Sequence, residues 1–497
     1  MSCSLGFAVS KYILPTPAVV RLMLPALFLS LLILTSAADA RHVHFNIQHP
    51  LLLDQYPTPT PISQSLLARP TTVYRPRDPA ALDRARIRSL RYGQSEPLEW
   101  YEKEVLAPDI EDRHTIEQLA RMAGNAYALP GQKNWYDVDT AWNTSFPFGW
   151  EDHANGFRGN VFLSSDNSTV VLSIKGTTIQ GPTSKKDKFN DNLLFSCCCA
   201  RVDFSWVFRT VCDCYANHWK CDDTCLSDAL IQDSLFYTTG VKLVMDLTFL
   251  YPSANIWLVG HSLGGSLASL LGATFGLPAI AFEAPGERLA AQRLHLPLPP
   301  PVSSPNSTSP PSPTASLLPN IPRRRIPSTA PLPVTHIYHT ADPIPQGTCT
   351  GPLSPCAQGG YALETRCHLG KSIVYDTVGV LGWRVDIRKH VIREVVEKVL
   401  GWEDGWPDED AEGEAASETE MYRITGVFRW VKKIWWGWGG KKHNSSDDGE
   451  RPPPPPRLRD VPRAKEEVDC TDCFKWEFGH FKDVPPPEDF NPKTIDI

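Results

Sequence analysis

The stretch Ile256-Trp-Leu-Val-Gly-His-Ser-Leu-Gly-Gly265 constrains this chain more than any other. Ile256 to Val259 is a short apolar run that reads as a buried parallel strand. Gly260-His261-Ser262-Leu263-Gly264, a G-x-S-x-G pattern, follows it, and Ser266 to Phe275 reads as a helix rich in small residues. Strand, tight turn and helix in that order give the pattern physical content. The turn is sharp and strained, so glycines flank the serine and let neighbouring backbone pass close by. Ser262 would stand clear of the sheet at the foot of a helix whose partial positive charge favours a developing oxyanion. The competing reading is a chance match in a Gly-rich turn; the flanking strand and helix weigh against it.

Around this unit the chain predicts an α/β fold, a mostly parallel sheet with flanking helices. Its 497 residues suffice for one large α/β domain with appendages. A net charge of −7 and a pI near 6.1 give no global basic footprint for nucleic acid. The 13 cysteines and the four N-x-S/T sequons at Asn143, Asn167, Asn306 and Asn444 suggest an oxidising, glycosylating compartment, the cysteines carrying most of that inference.

Leu22 to Ala38 is uncharged and Leu-rich, with Lys11 and Arg21 before it and no basic residue after it until Arg41. It reads as a transmembrane signal-anchor over 22–38, with residues 1–21 cytosolic and the body lumenal. The alternative is a cleaved signal peptide ending at Ala38-Asp39-Ala40. Residues 39–95 read as a Pro- and Arg-rich stalk and 96–401 as the globular domain. Within that domain, 180–226 is a Cys-rich cap insertion, for which disulfides are preferred over a zinc module. The twelve cysteines after the anchor can pair fully, leaving Cys3 apart; connectivity is not readable from spacing. Residues 296–333 form a Pro-rich insertion that cannot build a core. The tail 402–497 reads as largely disordered. Its Phe428–Trp438 stretch, rich in Trp and Lys, suits either a membrane interface or loose packing, and Cys470-Thr-Asp-Cys473 reads as a disulfide element.

Strand character recurs at Asn160–Leu163, Thr169–Lys175, Pro278–Glu283 and Val334–His339; helical spacing marks Ile116–Tyr127, Asp228–Leu250 and His390–Leu400. A serine hydroxyl needs a base to become a nucleophile. In α/β hydrolases the acid and then the histidine follow the serine along the chain. Asp342, in His339-Thr-Ala-Asp-Pro-Ile-Pro345 directly after a strand, is the preferred acid over Asp376 and Asp386. His390, at the start of the last amphipathic helix, is the preferred base over His368. His261 is expected to pack beneath the serine. Two backbone donors should form an oxyanion hole: the Leu263 N–H and a group from Gly176-Thr177, where the Thr177 hydroxyl could add a further donor. Nothing in the pattern calls for a metal, nucleotide or other cofactor.

Ser-Ile-Lys-Gly-Thr177, Gly-His-Ser-Leu-Gly-Gly265, Phe-Glu-Ala-Pro285 and His-Thr-Ala-Asp-Pro-Ile-Pro345 resemble the fungal class 3 lipases. More narrowly, the N-terminal anchor, the Cys-rich insertion and the C-x-x-C…Trp-Glu-Phe-Gly479 end look like the fungal autophagic vacuolar lipases. The resemblance implies an α/β-hydrolase fold and a Ser262–Asp342–His390 triad acting on membrane lipids, phospholipid or acylglycerol. It also implies a single-pass type II membrane glycoprotein, delivered through the endoplasmic reticulum, Golgi and multivesicular bodies to the vacuole. There it would hydrolyse the lipid of autophagic bodies and intralumenal vesicles. The long Pro-rich insertion between Ser262 and Asp342 departs from the compact lipase pattern, so the acid rests on its local motif.

Overall fold

The computed structural model describes residues 66–92, 98–142, 144–151, 156–200, 210–233, 235–299, 329, 331–349, 354–408 and 458–482. The expected anchor 22–38, its flank 1–21, the stalk before residue 66, Cys3, three sequons (Asn143, Asn306, Asn444), most of the Pro-rich insertion and the Trp-rich stretch of the tail lie outside them. Among the described residues no helix is long and apolar enough to cross a membrane.

In chain order the strands are β1 (Ala68–Pro76), β2 (Trp100–Pro108), β3 (Thr144–Phe148), β4 (Gly159–Leu163), β5 (Thr169–Ile174), β6 (Lys220–Asp222), β7 (Asn255–His261), β8 (Ala279–Phe282), β9 (Val334–His339), β10 (Lys371–Tyr375), β11 (Trp406–Pro407), β12 (Leu458–Arg459) and β13 (Glu477–Gly479). Seven of them make the central sheet in the order β10-β9-β8-β7-β5-β4-β3. The five from β10 to β5 run parallel, and β4 and β3 extend the sheet by antiparallel pairing. The expected mostly parallel α/β sheet is therefore present.

The central strands are apolar throughout because both faces are covered. Successive side chains of a strand point to opposite faces. Val170, Leu172, Ile174, Ile256 and Leu258 face one layer, which includes the helices Leu235–Leu250 and Leu263–Phe275. Val171, Trp257, Val259, Ile280 and Phe282 face the other, with the helix Arg113–Asn125 and the segment 392–400. Each such aliphatic side chain contributes roughly 1.5–3 kcal/mol by leaving water. The helix Leu263–Phe275 is buried to its penultimate residue and its small residues permit close approach: a Cβ on Gly264 would strike the carbonyl oxygen of Ile174 in β5.

Folded structure begins earlier than the expected stalk boundary at 95. β1 pairs antiparallel with β2 over nine residues, and the helix Pro79–Tyr92 follows it. Pro70 and Pro76 obscure the alternation, yet proline is tolerated in a strand that lacks a second neighbour. In the Arg-rich helix, Leu82 and Ala85 are buried, while Arg86 reaches the Leu294 carbonyl at 3.0 Å and lies over the Tyr237 ring.

The tail also differs from its expected disorder. Residues 458–482 are joined to the domain by β12 against β11, β13 against β6, and the disulfides Cys197–Cys473 and Cys367–Cys470. The two cysteines of the C-x-x-C thus have separate partners. In the cap, Cys198–Cys221, Cys199–Cys212 and Cys214–Cys225 are bonded, and Cys349–Cys356 completes six bridges. The cap cysteines are therefore paired with one another and with the tail, as the disulfide reading expects. The helix expected over 390–400 is broken instead: a 3-10 turn Ile387–His390 ends at extended Val391, and a short α turn and a π turn, Val395–Val399, follow.

Candidate active site

Strands β7 and β9, with β8 between them, deliver two of the three site residues just past their C-terminal ends. β7 ends at His261, and Ser262 follows with φ +58°, a backbone region costly for a side-chain-bearing residue. β9 ends at His339, and Asp342 stands three residues on, fully buried. The 3-10 turn Ile387–His390 brings His390 between them. His390 Nε2 lies 2.8 Å from Ser262 Oγ, and His390 Nδ1 lies 2.6 Å from Asp342 Oδ2. Asp342 Oδ1 also accepts the Ile344 N–H at 2.9 Å. The structure therefore brings Ser262, His390 and Asp342 into one hydrogen-bonded line. With Asp342 accepting from Nδ1–H, the neutral ring presents its other nitrogen as acceptor toward the serine hydroxyl. Burial pushes the Asp342 carboxyl up, but His390 and a hydrogen bond from Glu283 outweigh it and leave the group below the ordinary aspartate range.

The rejected candidates have other work. Asp376 and Asp386 cap short helical turns, accepting from Gly379 N–H and Arg388 N–H. His368 bonds Glu467 at 2.7 Å through Nδ1 and the Ala284 carbonyl at 3.1 Å through Nε2. His261 packs beside His390, ring centroids 4.8 Å apart. Its Nε2–H donates to the His390 carbonyl at 2.7 Å, and its Nδ1 accepts the Tyr127 hydroxyl at 2.8 Å. Burial, with the His390 ring adding to it, pushes His261 down to about 3, so it is a neutral strut holding the His390 backbone.

Leu263 is the first residue of the helix that begins after Ser262, so its N–H precedes the first intrahelical bond. The loop after β5 comes up to the same place. A Cβ on Gly176 would collide with the His261 carbonyl and the Tyr127 hydroxyl and lie 3.1 Å from Ser262 Cβ. Thr177 differs from expectation in one respect. Its hydroxyl donates to Asp191 Oδ2 at 2.5 Å, so that hydrogen is already engaged and is not offered to the site. Asp191 comes from the helix Ser184–Phe195, and so does Asp187, one turn earlier. Asp187 Oδ2 accepts from Lys175 Nζ at 2.8 Å, Thr178 N–H at 2.9 Å and the Thr178 hydroxyl at 2.7 Å. Burial raises the Asp191 carboxyl to about 7. Sequence reasoning missed Tyr127, Lys175, Asp187, Asp191 and Glu283; the only available signal was the four-residue spacing of Asp187 and Asp191, which puts them on one helix face. Asn167 is exposed in the β4–β5 turn, with φ +56°, where its sequon is accessible.

The arrangement is one in which an imidazole can take a proton from a strained serine hydroxyl at the N-terminus of a helix. The Lipase (class 3) family pattern matches residues 199–277. A protein of Cryptococcus neoformans var. neoformans serotype D (strain B-3501A), named "Putative lipase ATG15", is 47% identical over 77% of this chain and 70% of its own length. One of the same name from Mycosarcoma maydis is 42% identical over 82% of this chain and 74% of its own. Among solved structures, Lip2 lipase from Yarrowia lipolytica matches 54% of this chain and 80% of its own, at 18% identity and a TM-score of 0.29. The chain belongs to the ATG15 lipase family of fungi.

Proposed function

We propose that this lipase hydrolyses carboxylic esters of membrane lipids by an acyl-enzyme route on Ser262. The observation that carries the reading is the unbroken line Ser262–His390–Asp342, with contacts of 2.8 and 2.6 Å, on a serine of positive φ. His390 takes the Ser262 proton as the oxygen attacks the ester carbonyl. Asp342 fixes the tautomer and stabilises the imidazolium. The Leu263 and Thr177 N–H groups hold the oxyanion, each donor contributing roughly 3 kcal/mol to the transition state. His390 then protonates the departing alcohol, and water, activated by the same ring, releases the fatty acid.

The substrates are phospholipid and acylglycerol of membranes, specifically the lipid of autophagic bodies and multivesicular-body vesicles. In this reading the N-terminal segment 22–38 anchors a type II glycoprotein that travels from the endoplasmic reticulum through Golgi and endosome to the vacuole lumen. Asn143, Asn167, Asn306 and Asn444 are its glycosylation sites. The test is incubation of the purified protein with mixed vesicles in oxygen-18 water, wild type beside Ser262→Ala, with lipid products read by mass spectrometry. Label entering the released fatty acid, and its absence with Ser262→Ala, is the expected result. Undiminished hydrolysis by Ser262→Ala would reject the site, and transfer of the acyl group to an alcohol without label would reject hydrolysis.

A further inference from the structure

β8 lies between the strand that carries the serine and the strand that carries the aspartate, and it too ends in a functional-looking position. Glu283 follows Phe282 at the C-terminal end of β8 with φ +45°, a strained conformation for glutamate, and only 1% of it is exposed. The Phe282 carbonyl just before it accepts the Ser262 N–H at 2.9 Å. Its own backbone N–H donates to the Ile337 carbonyl at 3.0 Å, and its Oε1 accepts the His339 N–H at 3.1 Å. The carboxyl also shares a side-chain hydrogen bond with Asp342.

Two buried carboxyls in contact require a proton between them. Asp342 faces the His390 ring and accepts from it, so it is the partner that remains a carboxylate. The other titratable groups nearby do not neutralise an ionised Glu283. His339 Nε2 is 3.8 Å away, but it donates to the Lys389 carbonyl at 3.1 Å, and its Nδ1 lies 3.3 Å from the Thr377 hydroxyl. Burial lowers the His339 imidazole, so the ring is neutral. Lys389 Nζ is held by Glu394 at 2.8 Å and lies over the Trp383 ring. His261 bonds His390 and Tyr127. Burial, and then the Asp342 charge, push the Glu283 carboxyl well above the ordinary glutamate range.

We infer that Glu283 is a positioning residue for the triad: a neutral carboxylic acid whose O–H donates to the Asp342 carboxylate. The inference rests on the hydrolase reading above. Its consequence follows from charge. A donor on Asp342 draws negative charge off the carboxylate, so the carboxylate stabilises the imidazolium of His390 less. Removing the donor would strengthen the hold of Asp342 on the imidazolium and move the acid limb of activity to higher pH.

The experiment compares the full chain with Glu283→Gln and Glu283→Gly, measuring kcat/KM for a short-chain ester across pH. A glutamine can reproduce both contacts, its carbonyl accepting the His339 N–H and its amide donating to Asp342. Glycine removes the donor and suits the positive φ. The acid limb of Glu283→Gly is expected to move up by about one pH unit, and that of Glu283→Gln to overlie wild type whatever its plateau. A Gly limb that overlies wild type, or a Gln limb that moves with the Gly one, overturns the inference. Infrared difference spectra of wild type against Glu283→Gln at neutral pH decide the matter even if the glycine variant does not fold. A protonated-carboxyl stretch in wild type that the variant lacks is expected; its absence means that Glu283 is ionised and the inference wrong. Persisting activity of Ser262→Ala would instead sink the hydrolase reading, and the infrared band would still report on the Glu283 proton.

Discussion

Asp191 makes the stability of this protein depend on pH in a direction opposite to that of an ion-paired aspartate, and Asp191→Asn exposes the effect. The carboxyl is 2% exposed, and its pKa rises from the ordinary 3.8 to about 7, chiefly through burial, although the Thr177 hydroxyl donates to it. The folded state therefore binds this proton more tightly than the unfolded chain. Stability from the group is fully present below pH 4 and is lost as pH rises through 7. Each pH unit between the two values is worth about 1.4 kcal/mol, so the loss totals about 4 kcal/mol. Asparagine has the same shape and still accepts from Thr177, but never ionises. Urea unfolding with the disulfides intact should show the two proteins within about 1 kcal/mol of each other near pH 4. By pH 8 the variant should be more stable by about 4 kcal/mol. Other titrating groups cancel in the difference. A gap that does not widen between pH 4 and 8, or a variant less stable at pH 8, would refute the reasoning.

Asp342→Asn should leave the fold intact but lose the acceptor for His390 Nδ1–H, lowering kcat by about 10⁴-fold on a soluble ester; a loss of less than tenfold rejects the acid. Lys175→Met strands the Asp187 carboxylate, whose Oδ1 already has no partner, and should cost about 3–5 kcal/mol in urea unfolding. Asp187→Leu added to it should recover at least half of that, whereas simple addition of two losses would mean the pair does not act as a unit. Removing the Cys197–Cys473 bridge with serine at both positions should lower stability by about 2–4 kcal/mol and free the C-terminal peptide to limited proteolysis, with soluble-ester activity retained. An unchanged cleavage pattern would show that β13 and Cys367–Cys470 suffice to hold the tail.

Legibility followed the range of the interaction. Ser262, Asp342 and Gly176-Thr177 each follow a strand buried on both faces, and the short continuous apolar runs of such strands are visible locally, so the turns after them could be located without knowing what they meet. His390 was placed by chain order and by the apolar spacing of Ile392, Val395, Val396, Val399 and Leu400, which does line the core although the helix itself is broken at Val391. What escaped were partners distant in sequence. Ala68–Pro76 carries two arginines and two prolines among nine residues that matter only once Trp100–Pro108 lies beside them. The Thr177 hydroxyl looked like an oxyanion donor because nothing in Lys175-Gly-Thr177 announces Asp191. The tail looked disordered because two cystines and short strand pairings, rather than an apolar stripe, hold it.

His368 shows why such distant contacts bear on the site. It lost the contest for the base, yet it is 1% exposed and has a partner on each ring nitrogen. On one side stands Glu467 of the tail, which also accepts the His368 N–H at 3.0 Å and the hydroxyls of Ser372 and Tyr338. On the other stands the carbonyl of Ala284, the residue immediately after Glu283. Cys367, next to His368, is bonded to Cys470, three residues beyond Glu467. A tail segment more than 70 residues after His390 therefore clamps the backbone at the end of β8, where Glu283 meets Asp342. A half-buried carboxylate with both oxygens occupied resists displacement, because a broken contact leaves a charged group less well satisfied. Fixing Ala284 from below limits how far Glu283 can move, and so limits the freedom of Asp342 and His390 above it. The C-terminal segment is thus part of the scaffold that holds the triad in line, and truncation before Glu467 should cost hydrolysis of a soluble ester as well as stability.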